Sequence, residues 1–313
     1  MFADRLQASI EKRKSFLIAG FDPQIDTFPQ FILDEAIAEA TSDETTIYFA
    51  LVRHYTIALN ALEPLVAAIK PNIAFFEQYG FGGLRAFSYI CDAIKERGLP
   101  CIIDAKRGDI GHTATAYSRT FLGRSYAFGK RTPIFDGDAL TVNPYLGFDT
   151  LEPYLNDCRE FGKGIFVLVK TSNPSSSDIQ GIVEKDTNRS VSDKVAEWCH
   201  KQSAEFTGSC GFSGIGAVVG ATYPEEALRI RSLMPNGFFL IPGLGSQGGS
   251  AEDAKAGFVV KANEAISPYK NPGGAIVNVS RGLFKDGGST VEEFSSTIAS
   301  AANKYQAELS AVK

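Results

Sequence analysis

Eight short apolar runs rich in β-branched residues recur along this chain, each ending at Gly, Pro, Asn or a charged or hydroxyl residue, within the run or just after it. They are Phe16–Phe21, Val66–Lys70, Cys101–Asp104, Ala139–Val142, Ile165–Val169, Ile215–Val219, Phe238–Ile241 and Ala275–Val279. Runs apolar on both faces fit strands covered on both sides, as in a parallel sheet. Segments of helical periodicity lie between them: Leu84–Arg97, His112–Phe128, Ser192–Phe206, Pro224–Leu233 and Val291–Leu309. Two helix starts are signalled, by Thr222-Tyr-Pro-Glu with a hydroxyl cap before a first-turn Pro, and by Ser250-Ala-Glu-Asp. The alternation predicts an α/β fold, a (β/α)8 TIM barrel in a single domain over residues 1–313. Residues 1–15 are expected as a helix preceding the barrel, 16–284 as its strands and loops, and 285–313 as a C-terminal helix. An open doubly wound sheet is the runner-up, because the pattern does not show closure.

Composition narrows the partners. A net charge of −5, from 31 basic and 36 acidic residues, disfavours nucleic acid and anionic membrane, so a bound anion needs a local cradle. The five cysteines form no C-x-x-C and the three histidines are dispersed, which predicts reduced thiols, a cytoplasmic setting and no metal. Met1–Lys14 reads as an amphipathic helix with Phe2, Leu6 and Ile10 on one face, without the apolar core of a secretory signal. No apolar run approaches bilayer length.

In a barrel of this type the active site lies at the C-terminal ends of the strands. Those ends here carry Asp22, Lys70 and Asn72, Asp104 and Lys106, Asn143, Thr171-Ser172-Asn173, Pro242 and Gln247, and Ser280-Arg281-Gly282. Asp104 and Lys106 are two apart, so on a strand they share a face, and Gly108 ends the strand before Asp109 opens the next segment. The bland alternative is a solvated salt bridge at a sheet end. A lysine closing an apolar strand must be paired or exposed at a mouth, and two are present, Lys70 and Lys106. The run Pro242-Gly-Leu-Gly-Ser-Gln-Gly-Gly and the run Val279-Ser-Arg-Gly supply backbone donors and a guanidinium, the materials of a phosphate site after strands seven and eight.

These motifs together resemble a known family. Asp104-Ala-Lys-Arg-Gly-Asp109-Ile, with Lys70-Pro-Asn72, Thr171-Ser-Asn-Pro and Pro242-Gly-x-Gly-x-Gln-Gly, is similar to the longer form of orotidine 5′-monophosphate decarboxylase. The resemblance runs from Phe16 to Phe284, with Ser280 where many relatives have Gly. It implies loss of CO2 from C6 of orotidine 5′-monophosphate to give uridine 5′-monophosphate, without metal or cofactor. Lys70, Asp104, Lys106 and Asp109 would form an alternating charge chain, with Lys106 the proton donor. Asp109 would come from the partner subunit of a homodimer, accompanied across the interface by Ile110 and Thr113. Asp22 and Asn72 would serve the ribose and the charge network, Ser172 the pyrimidine amide edge, and Gln247 with Arg281 the phosphate. Pro242 and Ser280 complete the substrate-binding set. Two rivals stay open: a magnesium-dependent sugar-phosphate decarboxylase on the same barrel, and a barrel that binds a phosphorylated ligand without chemistry.

Overall fold

The computed structural model describes residues 1–244, 250–259, 273–285 and 287–310. Its eight barrel strands are β1 (Leu17–Phe21), β2 (Ala68–Pro71), β3 (Ile102–Arg107), β4 (Ala139–Val142), β5 (Gly164–Lys170), β6 (Ser213–Val219), β7 (Gly237–Ile241) and β8 (Ala275–Val279). Parallel ladders join β2 to β1, β1 to β8, and so down to β4 and β3. Parallel bridges Ile69 to Cys101 and Asn72 to Asp104 then connect β2 to β3, which closes the ring and removes the open-sheet alternative. Every expected run is a strand. The largest boundary shift is in β3, which continues past Asp104 to Arg107.

Strand alternation divides the core in two. Leu17, Ala19 and Phe21 of β1, like Val277 and Val279 of β8, face outward into the large cluster shared with the helices. Ile18, Ala68, Ile102, Ala139, Phe166, Phe238 and Ile276 face the barrel interior. The N-terminal helix α1 (Phe2–Arg13) sends Phe2, Leu6 and Ile10 into that interior cluster, with Phe2 edge-on to Phe166 at 5.9 Å. Its apolar face therefore stoppers the bottom of the barrel, so the interior opens only at the top.

The connecting helices bear out the periodicity in part. Pro224–Leu233 is helical as expected, and Ser192–Phe206 appears as Val191–Ser203 plus a 3-10 turn. His112–Phe128 does not run to its expected end: the helix covers Gly111–Phe121, and an antiparallel hairpin follows, Ser125–Ala127 with Lys130–Thr132. Leu122 caps that helix, and Gly123 just beyond it is packed where a Cβ would run into the Asp157 carboxylate. Thr222 does not cap its helix, since Tyr223 occupies the N-cap and makes no side-chain cap bond, whereas Ser250 and Asp253 form the expected reciprocal box. The long helix Asp43–Leu62 starts from a Ser42–Thr45 box, which hides from a search for Ser-x-x-Glu. Among the described residues no helix is long and apolar enough to cross a membrane.

Candidate active site

In five of the eight strands the inward phase changes from apolar to polar as it climbs. In β1 the inner face reads Ile18, Gly20, Asp22; in β2 Ala68, Lys70, Asn72; in β3 Ile102, Asp104; in β4 Ala139, Thr141; in β8 Ile276, Asn278, Ser280. The upper residues, apart from Gly20, line a cavity of about 570 Å³ at the barrel mouth, with Thr171, Ser172, Pro242 and Arg281 on the β5, β7 and β8 side. Gly20 has to be bare, because a Cβ there would fall 1.9 Å from the Ser280 hydroxyl. Gly220 similarly lets the Ser172 backbone approach, within 3.0 Å of where its Cβ would be.

Asp104 is the centre of the polar floor. Lys70 Nζ donates to its Oδ2 at 2.6 Å and Lys106 Nζ to its Oδ1 at 2.6 Å. Lys70 and Asp104 are 4% and 7% exposed, so their pairing is little screened by water. Burial opposes ionisation of Asp104, but the two lysines outweigh it and hold the carboxyl well below the usual carboxylate range. Burial likewise opposes the Lys70 charge, and Asp104 with Asp22 overcomes it, so the ammonium titrates above an ordinary lysine. Lys106 differs from Lys70 in access, its side chain being 49% exposed.

The backbone beneath Lys106 is unusual. Its φ is +47°, a left-handed conformation rare for a side chain of this kind and costing about 1–2 kcal/mol. Between Ile103 and Arg107 the β3 backbone slips against β4, so four residue steps on one strand face two on the other. The Ala105 and Lys106 N–H groups, left out of the ladder, donate to Thr141 Oγ1 at 3.0 and 2.9 Å. The same hydroxyl donates to Asp104 Oδ1 at 2.9 Å. Same-side placement of Asp104 and Lys106 was expected from simple alternation; contact is achieved through this bulge instead.

The remaining expected residues divide cleanly. Asp22, Asn72, Ser172, Pro242, Ser280 and Arg281 all line the cavity. Asp22 Oδ1 is buried and accepts no hydrogen bond among the described residues. Asn72 Oδ1 caps the short helix Ile73–Glu77 by accepting from Ala74 N at 3.3 Å. Ser280 Oγ accepts from Asn278 Nδ2 at 3.2 Å. Arg281 is exposed and makes no ion pair among the described residues. Asp109, Ile110 and Thr113 stand outside the cavity of their own chain. Asp109 Oδ1 accepts from Ile110 N at 2.8 Å, and Ile110 rather than Asp109 is the N-cap of the next helix, leaving Ile110 61% exposed. Gln247 and the rest of the glycine run from Gly245 to Gly249 lie outside the described residues.

Six cavity residues escaped the sequence reading: Gln24, Phe75, Val218 and Leu240, and two polar residues within strands, Thr141 and Asn278. The latter two sit one inward step below the strand end, and only strand ends were surveyed. The signal was available: with Ala139 and Ile276 facing in, the period of two puts the polar Thr141 and Asn278 inside as well. Asn143, a strand-end residue, instead turns to accept from Tyr145 N at 3.0 Å and does not line the cavity.

The chain resembles known proteins along most of its length. The family model described as Orotidine 5′-phosphate decarboxylase / HUMPS family matches residues 54–294. Orotidine 5′-phosphate decarboxylase of Caldicellulosiruptor bescii is 41% identical over 285 residues, covering 90% of this chain and 89% of the relative. Among solved structures, Leishmania donovani OMP decarboxylase superposes with a TM-score of 0.70 at 28% identity, covering 99% of this chain and 98% of that one. Leishmania donovani UMP synthase gives a TM-score of 0.73 at 30% identity over 99% of this chain, which spans 56% of that longer protein.

Proposed function

The chain belongs to the orotidine 5′-phosphate decarboxylase / HUMPS family, and on that premise we infer that it converts orotidine 5′-monophosphate to uridine 5′-monophosphate, as a carboxy-lyase of pyrimidine biosynthesis. The observation that carries the reading is the Asp104 carboxylate gripped on both oxygens by lysines, at the floor of a cavity with Ser172 and Arg281 on its wall.

The reaction breaks the bond between C6 and its carboxylate. CO2 departs, the bonding pair stays on C6, and a proton must be supplied there. That vinylic carbanion has little delocalisation, so the protein has to stabilise it by fixed charge. Lys106 is the donor: it lines the cavity, half of its side chain is exposed there, and Asp104 Oδ1 holds its Nζ at 2.6 Å. After transfer the neutral amine regains its proton from solvent. Lys70 is too deeply buried to trade protons freely and instead holds Asp104 in place. The unsatisfied Asp22 oxygen suits a ribose hydroxyl, Asn72 stands beside it, and Ser172 meets the pyrimidine edge. Arg281 takes the phosphate, with Ser280 and Pro242 shaping that end, and the remote phosphate supplies binding energy for positioning the base. Gln247 completes the phosphate grip in this reading.

The chain works as one barrel domain in a homodimer, with the partner lending Asp109, Ile110 and Thr113 to the site. In support, these three residues are displaced from their own cavity, and Ile110 is an exposed apolar side chain beside it. Five buried, free cysteines accord with a cytoplasmic setting. The magnesium-dependent sugar-phosphate alternative is disfavoured by the donors themselves: Lys70 and Asn72 occupy the second strand end, and both Asp104 oxygens are already taken by ammonium groups.

The test follows the loss of orotidine 5′-monophosphate by ultraviolet absorbance, with and without chelator. Turnover unaffected by chelator is expected. No turnover, or turnover that requires added Mg2+, would refute the assignment.

A further inference from the structure

We propose that Thr141 is a positioning residue for the decarboxylation: its hydroxyl locks the β3 bulge so that Lys106 meets Asp104 and faces the reacting carbon. The inference rests on the function assigned above and adds a residue from a different strand to the apparatus.

A hydroxyl has two acceptor directions and one hydrogen. At Thr141 both acceptor directions are filled by backbone, from Ala105 N at 3.0 Å and Lys106 N at 2.9 Å. The single hydrogen is left for Asp104 Oδ1 at 2.9 Å, the same oxygen that Lys106 Nζ holds at 2.6 Å. Thr141 therefore ties the main chain of Lys106 to the partner of its side chain. The two N–H groups have no ladder partner because the register slips at this point, so without the hydroxyl they would have none. A left-handed lysine persists only where its surroundings over-determine it, and Thr141, which bonds its N–H, is 1% exposed. The carbon skeleton of threonine is replaceable; its oxygen is not.

The test compares Thr141→Val, Thr141→Ala and Thr141→Ser in the full-length enzyme, each checked for a cooperative thermal transition. Valine keeps the shape and loses the oxygen; serine keeps the oxygen and loses a methyl. With Lys106 misdirected, kcat of the valine variant should fall by about a hundredfold. Its KM and its affinity for uridine 5′-monophosphate should stay within about threefold of wild type, because the phosphate and ribose contacts are untouched. Serine should recover kcat to within about fivefold of wild type. If valine does not fold, the alanine–serine pair reads the same oxygen, since alanine introduces no apolar group against Asp104. A valine or alanine variant with wild-type kcat overturns the proposal, and so does a serine variant as slow as valine or alanine. Wild-type enzyme that does not consume orotidine 5′-monophosphate would instead overturn the functional assignment, which keeps the two failures distinct.

Discussion

Lys70 and Lys106 hold opposite oxygens of one carboxylate at the same distance, 2.6 Å, but only one of them meets solvent. The Lys70 side chain is 6% exposed and that of Lys106 49%. Equal contacts therefore come with unequal access: one cation is enclosed with the acid, and the other stands open to the cavity.

Removing the exposed lysine should stop the chemistry while sparing recognition. Lys106→Ala is expected to lower kcat by about a thousandfold or more, the scale of a lost general acid in a site that also needs its charge. Its affinity for uridine 5′-monophosphate should be nearly that of wild type, as titration calorimetry would report. A variant that loses product affinity in proportion to activity would put Lys106 in ground-state binding instead.

Arg281→Ala should act on the phosphate alone. Loss of a charge-assisted pair predicts a decrease of about 2–4 kcal/mol in affinity for uridine 5′-monophosphate, and almost none for uridine. Should the variant still discriminate between nucleotide and nucleoside as wild type does, the phosphate site lies elsewhere.

The Asp104–Lys70 pair carries a pH signature. The Asp104 carboxyl is depressed in the fold, so its contribution is complete above the unfolded value of about 3.9 and disappears as pH falls toward the folded value. Lys70 is raised, so its contribution is complete below the unfolded value of about 10.4 and is lost as pH climbs through the folded value. Asp104→Asn leaves Lys70 buried without its main partner and should cost about 3–5 kcal/mol at neutral pH. The deficit should shrink in acid below pH of about 4, where wild type loses the same term. Denaturant titrations of both proteins at pH 7 and pH 3 check this, and a deficit constant across pH contradicts it.

Sharing of the site between subunits yields arithmetic. Lys106→Ala and Asp109→Ala homodimers should each be almost inactive. Refolded together in equal amounts, about half of the dimers are mixed, and each of those holds one doubly damaged and one intact site. Roughly a quarter of wild-type activity should return. A mixture that stays silent, with mixed dimers verified by mass, would return Asp109 to its own chain.

The order of strands and the polar character of their ends were legible in the sequence, because covered parallel strands must be apolar on both faces and must stop where chemistry begins. Phe2, Leu6 and Ile10 could be placed on one helix face for the same reason, a local period of 3.6 residues. What that face covers was not legible, since the barrel bottom exists only once β1 to β8 have closed. Gly123 shows the limit from the other direction: just past the helix end it has to be small because the carboxylate of Asp157, distant in sequence, fills the space a side chain would need. Thr141 shows it at the site. Its inward phase was readable from Ala139, but its bonds to the Lys106 backbone depend on a register slip between β3 and β4 that no local pattern encodes. Local periodicity reports which face of an element is buried. Which atoms meet across two elements is decided by the closure that packs them together.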